Sequence, residues 1–285
     1  MTWSLKIGQI AGTAVRIHIT FLLFVAWIWA ASYFADGAPA AWSGLAYILA
    51  LFLCVLVHEF GHILTARAFG IATPDVTLLP IGGVARLERI PENPVQEFLI
   101  AIAGPLVNVA IAIVLIALFD ARLDTAHLAA MENSKVSLID RLAIANLFLA
   151  VFNMIPAFPM DGGRVLRALL AIRMEYLKAT QIAAGLGQGL AFVFGFIGLF
   201  TNPFLLFIAL FVWIGAAQEA SAVQMKSAFA GTPIRAAMLI DFQVLGPSDT
   251  LADAVNLVLQ GSQIIISGPG RAVPRPCACR CRSCG

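Results

Sequence analysis

Two histidines and a glutamate lie close together in a long apolar stretch of the sequence. His58, Glu59 and His62 form the pattern H-E-x-x-H within LVHEFGHILTAR, residues 56–67. Residues four positions apart share one face of a helix, so both imidazoles can reach one metal ion. Glu59 projects from the adjoining face, where it can act on an attacking water. Polar groups at membrane depth are costly and mark functional sites, so the pattern favours a hydrolytic zinc site over two histidines packed in a helical core.

A catalytic zinc has three protein ligands and one open position, so a third ligand is needed. Asp161 is the best candidate, and it lies in NMIPAFPMDGGRVLRA, residues 153–168. The two prolines before it prevent a regular helix, and Gly162-Gly163 permits a tight turn. The alternative role for Asp161 is to cap a short helix that begins near Gly163. The two-histidine site still lacks a third ligand, and we expect Asp161 at the same end of the membrane domain. We therefore favour ligation over capping.

Membrane-spanning helices must hold these residues. The chain has 285 residues, of which 60% are hydrophobic and 12% are charged, and its mean hydropathy is +0.90. Soluble domains carry about 25% charged residues, so the composition predicts an integral membrane protein. A spanning helix needs about 20 mostly apolar residues. Six segments of the sequence qualify, namely 18–35, 44–66, 96–119, 139–159, 180–200 and 203–222.

Lysines and arginines are distributed unequally between alternate loops. The outer loops hold only Arg122, Lys135 and Arg141. By the rule that cytoplasmic loops are the more basic, we expect a multi-pass inner-membrane protein with both termini in the cytoplasm. The H-E-x-x-H motif then lies toward the cytoplasmic side. The cations assigned to that side are Lys6, Arg16, Arg67, Arg86, Arg89, Arg164, Arg167, Arg173, Lys178, Lys226 and Arg235.

A broken apolar segment, residues 73–94, follows the second predicted span. It contains Gly82 and Gly83, and alternation on the N-terminal side of these glycines predicts short strands around a Gly-Gly turn. The segment is either a surface hairpin or a re-entrant hairpin beside the zinc site. Irregular backbone at membrane depth persists only where protein or a water-filled cavity satisfies it. We expect the re-entrant hairpin.

Three motifs together resemble the site-2 protease family of intramembrane zinc metalloproteases. They are HEFGH in an early span, PIGGV after it, and NxxPxxPxDGGR at residues 153–164. The resemblance covers residues 10–225. It implies that one Zn²⁺ is bound by His58, His62 and Asp161.

The same resemblance assigns roles to the remaining motif residues. It implies that Glu59 is the catalytic acid/base and that Asn153 helps to hold substrate or the oxyanion. It also implies that Gly82 and Gly83 belong to a substrate-presenting hairpin beside the active site.

The composition changes after the last predicted span, which suggests further segments beyond a protease domain at residues 1–225. Residues 230–267 resemble the opening of a cystathionine-β-synthase (CBS) motif, as in the bacterial and archaeal branch of the family that carries CBS domains. Only about half of one motif is present, which argues against regulation by an adenine nucleotide. Residues 268–285 end in CACRCRSCG and resemble no packed element. We expect a disordered or aberrant tail there.

The sequence thus predicts an all-α polytopic membrane protein with six transmembrane helices, a re-entrant β-hairpin and a truncated cytoplasmic α/β (CBS-like) segment. Its expected function is zinc-dependent cleavage of a transmembrane segment in a single-pass, membrane-held regulatory protein within the lipid bilayer. A net charge of +2 and the lack of an aromatic-rich basic patch argue against nucleic acid as a partner. Two alternatives use the same residues: a membrane metal transporter and a catalytically inactive scaffold. The intact Glu59 favours the protease.

Overall fold

The structure of the chain is a computed structural model. It describes residues 3–80, 82–86, 88, 91, 93–121 and 137–229, and short stretches nearer the C-terminus at 243–245, 250–252, 255–256 and 264–266. The chain divides into two compact units, Met1–Ser227 and Ala228–Gly285. The predicted tail at 268–285 lies outside the described residues, as does most of the CBS-like segment.

Seven helices make up most of the described part of the first unit. Five of them are long and apolar enough to cross a membrane, which confirms the prediction of a mostly helical membrane protein. These five are α1 (Ile19–Asp36), α2 (Ala38–Ala68), α3 (Pro94–Phe119), α6 (Tyr176–Phe200) and α7 (Pro203–Phe229). The two shorter helices are α4 (Leu138–Asn153) and α5 (Asp161–Ala171).

Helix α4 corresponds to the fourth predicted span, but it ends earlier than expected. It has 16 residues, which at 1.5 Å per residue gives about 24 Å, short of the roughly 30 Å hydrocarbon core. The chain then turns through residues 154–160. This turn is apolar because it packs into the protein: Ala157 and Phe158 are fully buried there. A hydropathy pattern cannot distinguish such a buried turn from a lipid-facing helix.

A four-stranded sheet lies in the same unit, with strand order β1-β2-β3-β4. The predicted hairpin is present as the antiparallel strands β3 (Asp75–Leu79) and β4 (Gly82–Arg86). The sequence analysis did not predict β1 (Ser4–Ile10) and β2 (Thr13–His18), which form a second antiparallel hairpin. Strand β2 pairs in parallel with β3, so the N-terminal residues complete the sheet.

Helix α3 is the central helix of the bundle, since it packs against α2, α4 and α5. Small residues permit this close packing. A Cβ atom added to Gly61 on α2 would lie 2.9 Å from Val107 Cγ2 and 3.0 Å from the carbonyl oxygen of Ala103, both on α3. Close backbone approach at glycine is how helices associate in membranes, where no hydrophobic effect drives them together.

In the second unit, the described residues include two short strands. Strand β5 (Gln243–Leu245) pairs in parallel with β6 (Ile264–Ile266).

Candidate metal centre

Three side chains from two helices bring one potential ligand atom each to a common point. His58 Nε2 and His62 Nε2 are 3.1 Å apart, and Asp161 Oδ2 lies 3.3 Å from the first and 3.2 Å from the second. All three residues are buried. Among the described residues, these three side chains form a group that could hold a metal ion.

The two histidines converge because they lie one turn apart on α2, as their spacing predicts. Asp161 arrives from a different element, as the first residue of α5. No side-chain hydrogen bond caps the N-terminus of α5, and the Asp161 carboxylate instead contacts the two imidazoles. The helix therefore begins two residues before Gly163, and the geometry supports ligation over the capping role.

Glycines after Asp161 allow the chain to fold tightly back on itself. A Cβ atom on Gly162 would lie 2.3 Å from the carbonyl oxygen of Ile155, and one on Gly163 would lie 2.6 Å from the backbone nitrogen of Phe158. Neither position can hold a side chain without moving backbone atoms. The Gly-Gly pair thus brings the start of α5 against the preceding turn and directs Asp161 inward.

The three ligand atoms fit a zinc ion. Tetrahedral Zn²⁺ with ligand distances of about 2.0–2.1 Å places neighbouring ligand atoms about 3.3 Å apart. The observed separations of 3.1, 3.2 and 3.3 Å match one face of such a tetrahedron. His62 Nδ1 donates to the carbonyl oxygen of Ile100 at 2.6 Å, which fixes Nε2 as the nitrogen available to a metal.

Helix α3 closes one side of this centre through Gly104. A Cβ atom there would lie 2.2 Å from His62 Nε2 and 2.7 Å from His58 Cε1. The sequence Ala103-Gly104-Pro105 predicts close helix packing, but it does not reveal that the packing partners are the imidazoles of His58 and His62.

The β3–β4 hairpin approaches the centre through Gly83. A Cβ atom there would lie 2.5 Å from Glu59 Cγ, so only a glycine lets β4 come this close to the glutamate. Glu59 itself is half-buried, beside the two histidines on α2. The structure therefore brings together His58, Glu59, His62, Asp161 and Gly83.

Two predicted site residues are less closely tied to this group. Gly82 has a φ of +135°, which favours glycine, and open space surrounds it. Asn153 is the last residue of α4 and half-buried. Within the described residues, no hydrogen bond joins Asn153 to the metal-centre side chains. Its role rests on the sequence motif.

Comparison with known proteins relates this fold and centre to characterised families. The chain is 40% identical over 233 residues to a zinc metalloprotease of Methanocaldococcus jannaschii, which covers 80% of this chain and 64% of the relative. It is 31% identical over 255 residues to the protein Rip3 of Mycobacterium tuberculosis. That match covers 82% of this chain and 63% of the relative. The chain thus spans less than two thirds of the length of these curated relatives.

A solved structure resembles the fold as well. The site-2 protease from Methanocaldococcus jannaschii matches with a TM-score of 0.57 and 38% sequence identity, covering 76% of this chain and 95% of that chain. The sequence profile of Peptidase family M50 matches residues 46–135 and 121–196, which include the H-E-x-x-H motif and Asp161. This chain therefore belongs to Peptidase family M50.

Proposed function

We propose that the protein is a zinc-dependent intramembrane endopeptidase. The observation that carries the proposal is the triangle of His58 Nε2, His62 Nε2 and Asp161 Oδ2, with edges that fit a tetrahedral zinc ion. The triangle lies where α2, a helix apolar enough to cross a membrane, meets α5. Membership in Peptidase family M50 and the zinc metalloprotease among the relatives support the same reaction.

Each residue of the centre receives a role in this proposal. His58, His62 and Asp161 hold one Zn²⁺, which when bound acidifies a water molecule and polarises a peptide carbonyl. Glu59 lies beside the ligands without being one of them. It accepts a proton from the attacking water and later delivers it to the leaving amine. Asn153, at the end of α4, donates a hydrogen bond to the developing oxyanion.

The substrate proposed is a transmembrane segment of a single-pass, membrane-held regulatory protein. A transmembrane helix hides its carbonyl groups in internal hydrogen bonds, so the segment must unwind before a peptide bond can be attacked. Strand β4 is at the edge of the sheet and contacts Glu59 through Gly83. We propose that the unwound segment pairs with this edge, which would place its backbone next to the catalytic glutamate.

Proline substitutions test the pairing of substrate with β4. Neighbouring backbone N–H groups in a strand point to opposite edges, so Val84→Pro and Ala85→Pro each remove a different one. The variant whose lost N–H points toward β3 weakens the pairing of β4 with β3, so its melting temperature should fall. We expect the other to keep its melting temperature and bound zinc while cleaving more slowly. Wild-type cleavage by that second variant would contradict the role of the edge.

The proposed topology has residues 139–159, which are α4 and most of the buried turn after it, as a sixth crossing. Both termini are in the cytoplasm, and the centre lies toward the cytoplasmic side of the inner membrane. The unequal distribution of basic residues in the loops supports it. We also propose a protease domain at residues 1–225, followed by a partial CBS-like segment at 230–267 and a tail at 268–285. The boundary between the compact units after Ser227 agrees with that division.

Replacing Glu59 by glutamine tests the proposed function and separates it from transport and scaffolding. Glutamine keeps the size of the side chain but cannot accept the proton. In detergent-purified protein with a panel of single-span helices as substrates, we expect Glu59→Gln to bind zinc as wild type does and to lose at least about 100-fold in cleavage rate. His62→Ala serves as the matched control that loses zinc. Equal cleavage by Glu59→Gln and wild type would refute the assigned role.

A further inference from the structure

A buried network of ion pairs lies on α5, beyond the metal centre. Arg167 is six residues after Asp161 and only 2% exposed. Its Nε donates to Glu97 Oε1 on α3 at 2.7 Å, and its Nη1 donates to Glu219 Oε2 on α7 at 3.2 Å. The sequence analysis assigned Arg167 to the cytoplasmic-side cations. The structure shows in addition that the side chain is buried and paired with carboxylates on two other helices.

Burying these charged side chains costs free energy, so a contribution to stability does not by itself explain the network. Removing charges from water is expensive, and a buried ion pair is weak evidence for stability, since apolar residues often pack as well. Glu97 is itself only 3% exposed. The geometry, by contrast, is specific. The guanidinium group contacts two carboxylates and also lies 5.0 Å from the ring centres of both Phe158 and Tyr176.

Helix α3 connects this network to the histidines. Glu97, which accepts from Arg167, is one turn before Ile100, whose carbonyl oxygen accepts from His62 Nδ1. Gly104, one further turn along, contacts both imidazoles. Helix α3 therefore contacts the histidines of α2 near its own middle. Near its own N-terminus it contacts α5, the helix that begins at Asp161. Phe158, beside the guanidinium group, belongs to the turn that leads into Asp161.

We infer that Glu97 and Arg167 are positioning residues that set the Asp161 carboxylate at the correct distance from His58 and His62. This inference rests on the proposed zinc site. Metal–ligand distances in well-formed sites lie within about 0.2 Å of their ideal values, so a small shift of α5 along α3 is enough to weaken binding. Arginine is required because its planar fork holds two carboxylates at once, which a lysine ammonium on a flexible stem cannot reproduce.

The test compares Arg167→Lys, Arg167→Met and Glu97→Gln with wild type in the full chain, purified in detergent. Zinc affinity is measured by competition with a chelator, and ligand geometry is measured from the visible spectrum of the Co²⁺-loaded protein. Outer-shell partners of metal ligands change affinity by about 10- to 100-fold. We expect losses in that range for all three variants, together with an altered Co²⁺ spectrum.

The matched control is Arg164→Met on the same helix. Arg164 is only three residues from Asp161 and pairs with Glu219 at 3.4 Å, but among the described contacts it donates no hydrogen bond to α3. If Arg167 acted through its charge alone, losing either arginine would strengthen zinc binding, because a nearby positive charge repels Zn²⁺. We expect a smaller loss of zinc affinity and an unaltered Co²⁺ spectrum for Arg164→Met.

The outcomes separate this inference from the proposed function. If wild type binds no zinc, the proposed function fails, and the inference fails with it. If wild type binds zinc and the Arg167 and Glu97 variants match its affinity and spectrum, only the positioning role is refuted, even when their melting temperatures fall. An equal affinity loss in Arg164→Met also refutes it. Should Arg167→Met not fold, Arg167→Lys, which keeps the positive charge, decides the question.

Discussion

Replacing Gly104 by alanine should disrupt the proposed metal centre although no ligand residue is changed. The added Cβ atom would lie 2.2 Å from His62 Nε2 and 2.6 Å from His62 Cε1, where ordinary contact begins at 3.4 Å. The imidazole would therefore have to move by about 1.2 Å. It cannot do so by rotation alone, because its other nitrogen is hydrogen-bonded to the Ile100 carbonyl oxygen.

The displacement can be compared with what a metal site tolerates. A shift of about 1.2 Å is several times the roughly 0.2 Å range over which ligand distances stay acceptable. We therefore expect Gly104→Ala to lower zinc affinity by more than about 100-fold. That figure is the upper end of the range for changes in residues that contact metal ligands. Overpacking should also cost about 1–3 kcal/mol of folding free energy, partly offset by the roughly 1 kcal/mol by which alanine exceeds glycine in helix propensity.

Bound zinc is measured by elemental analysis and by chelator competition, with the melting temperature recorded in parallel. The matched controls are Gly185→Ala and Gly189→Ala on α6, where an added Cβ meets open space. Both controls should bind zinc as wild type does and melt at the same temperature or higher. Wild-type zinc affinity in Gly104→Ala would refute the claim that α3 confines the imidazoles.

Two further predictions follow from the same geometry. Gly83→Ala places a Cβ 2.5 Å from Glu59 Cγ, so it should displace the proposed general base and lower the cleavage rate by about 100-fold. Zinc content should remain at the wild-type level. A cleavage rate within error of wild type would contradict the contact. Removing zinc with a chelator should lower the melting temperature, since a ligand at 100 times its Kd stabilises the folded state by about 2.7 kcal/mol; calorimetry with and without chelator measures the difference, which His62→Ala should abolish.

Local sequence signals predicted the parts of the site that one short segment determines. The spacing of His58 and His62 places both on one helix face, and the Gly-Gly pair after Asp161 predicted a turn that aims the carboxylate inward. These predictions needed no knowledge of the tertiary arrangement. The site-2 protease resemblance, supported by membership in Peptidase family M50, united the motifs into one expected centre.

Features that depend on distant segments were not predictable from local patterns. Glu97 and Arg167 are 70 residues apart, and nothing near either one shows that they pair. The partners of Gly104 lie on another helix, although its need for close packing was visible. The parallel pairing of β2 with β3 was missed because it joins segments that α1 and α2 separate in the sequence.

The parallel pairing of β2 with β3 has a consequence for how the chain enters a membrane. Parallel strands need a long connection, and here α1 and α2 provide it, starting immediately after His18. If α1 and α2 both cross the bilayer, the chain leaves one side and returns to it before β3 is made. The N-terminal hairpin, marginal by itself, must then wait for both helices to insert. If only one of them inserted, β2 and β3 would lie on opposite sides of the bilayer, so the sheet can be completed only after both helices have crossed it.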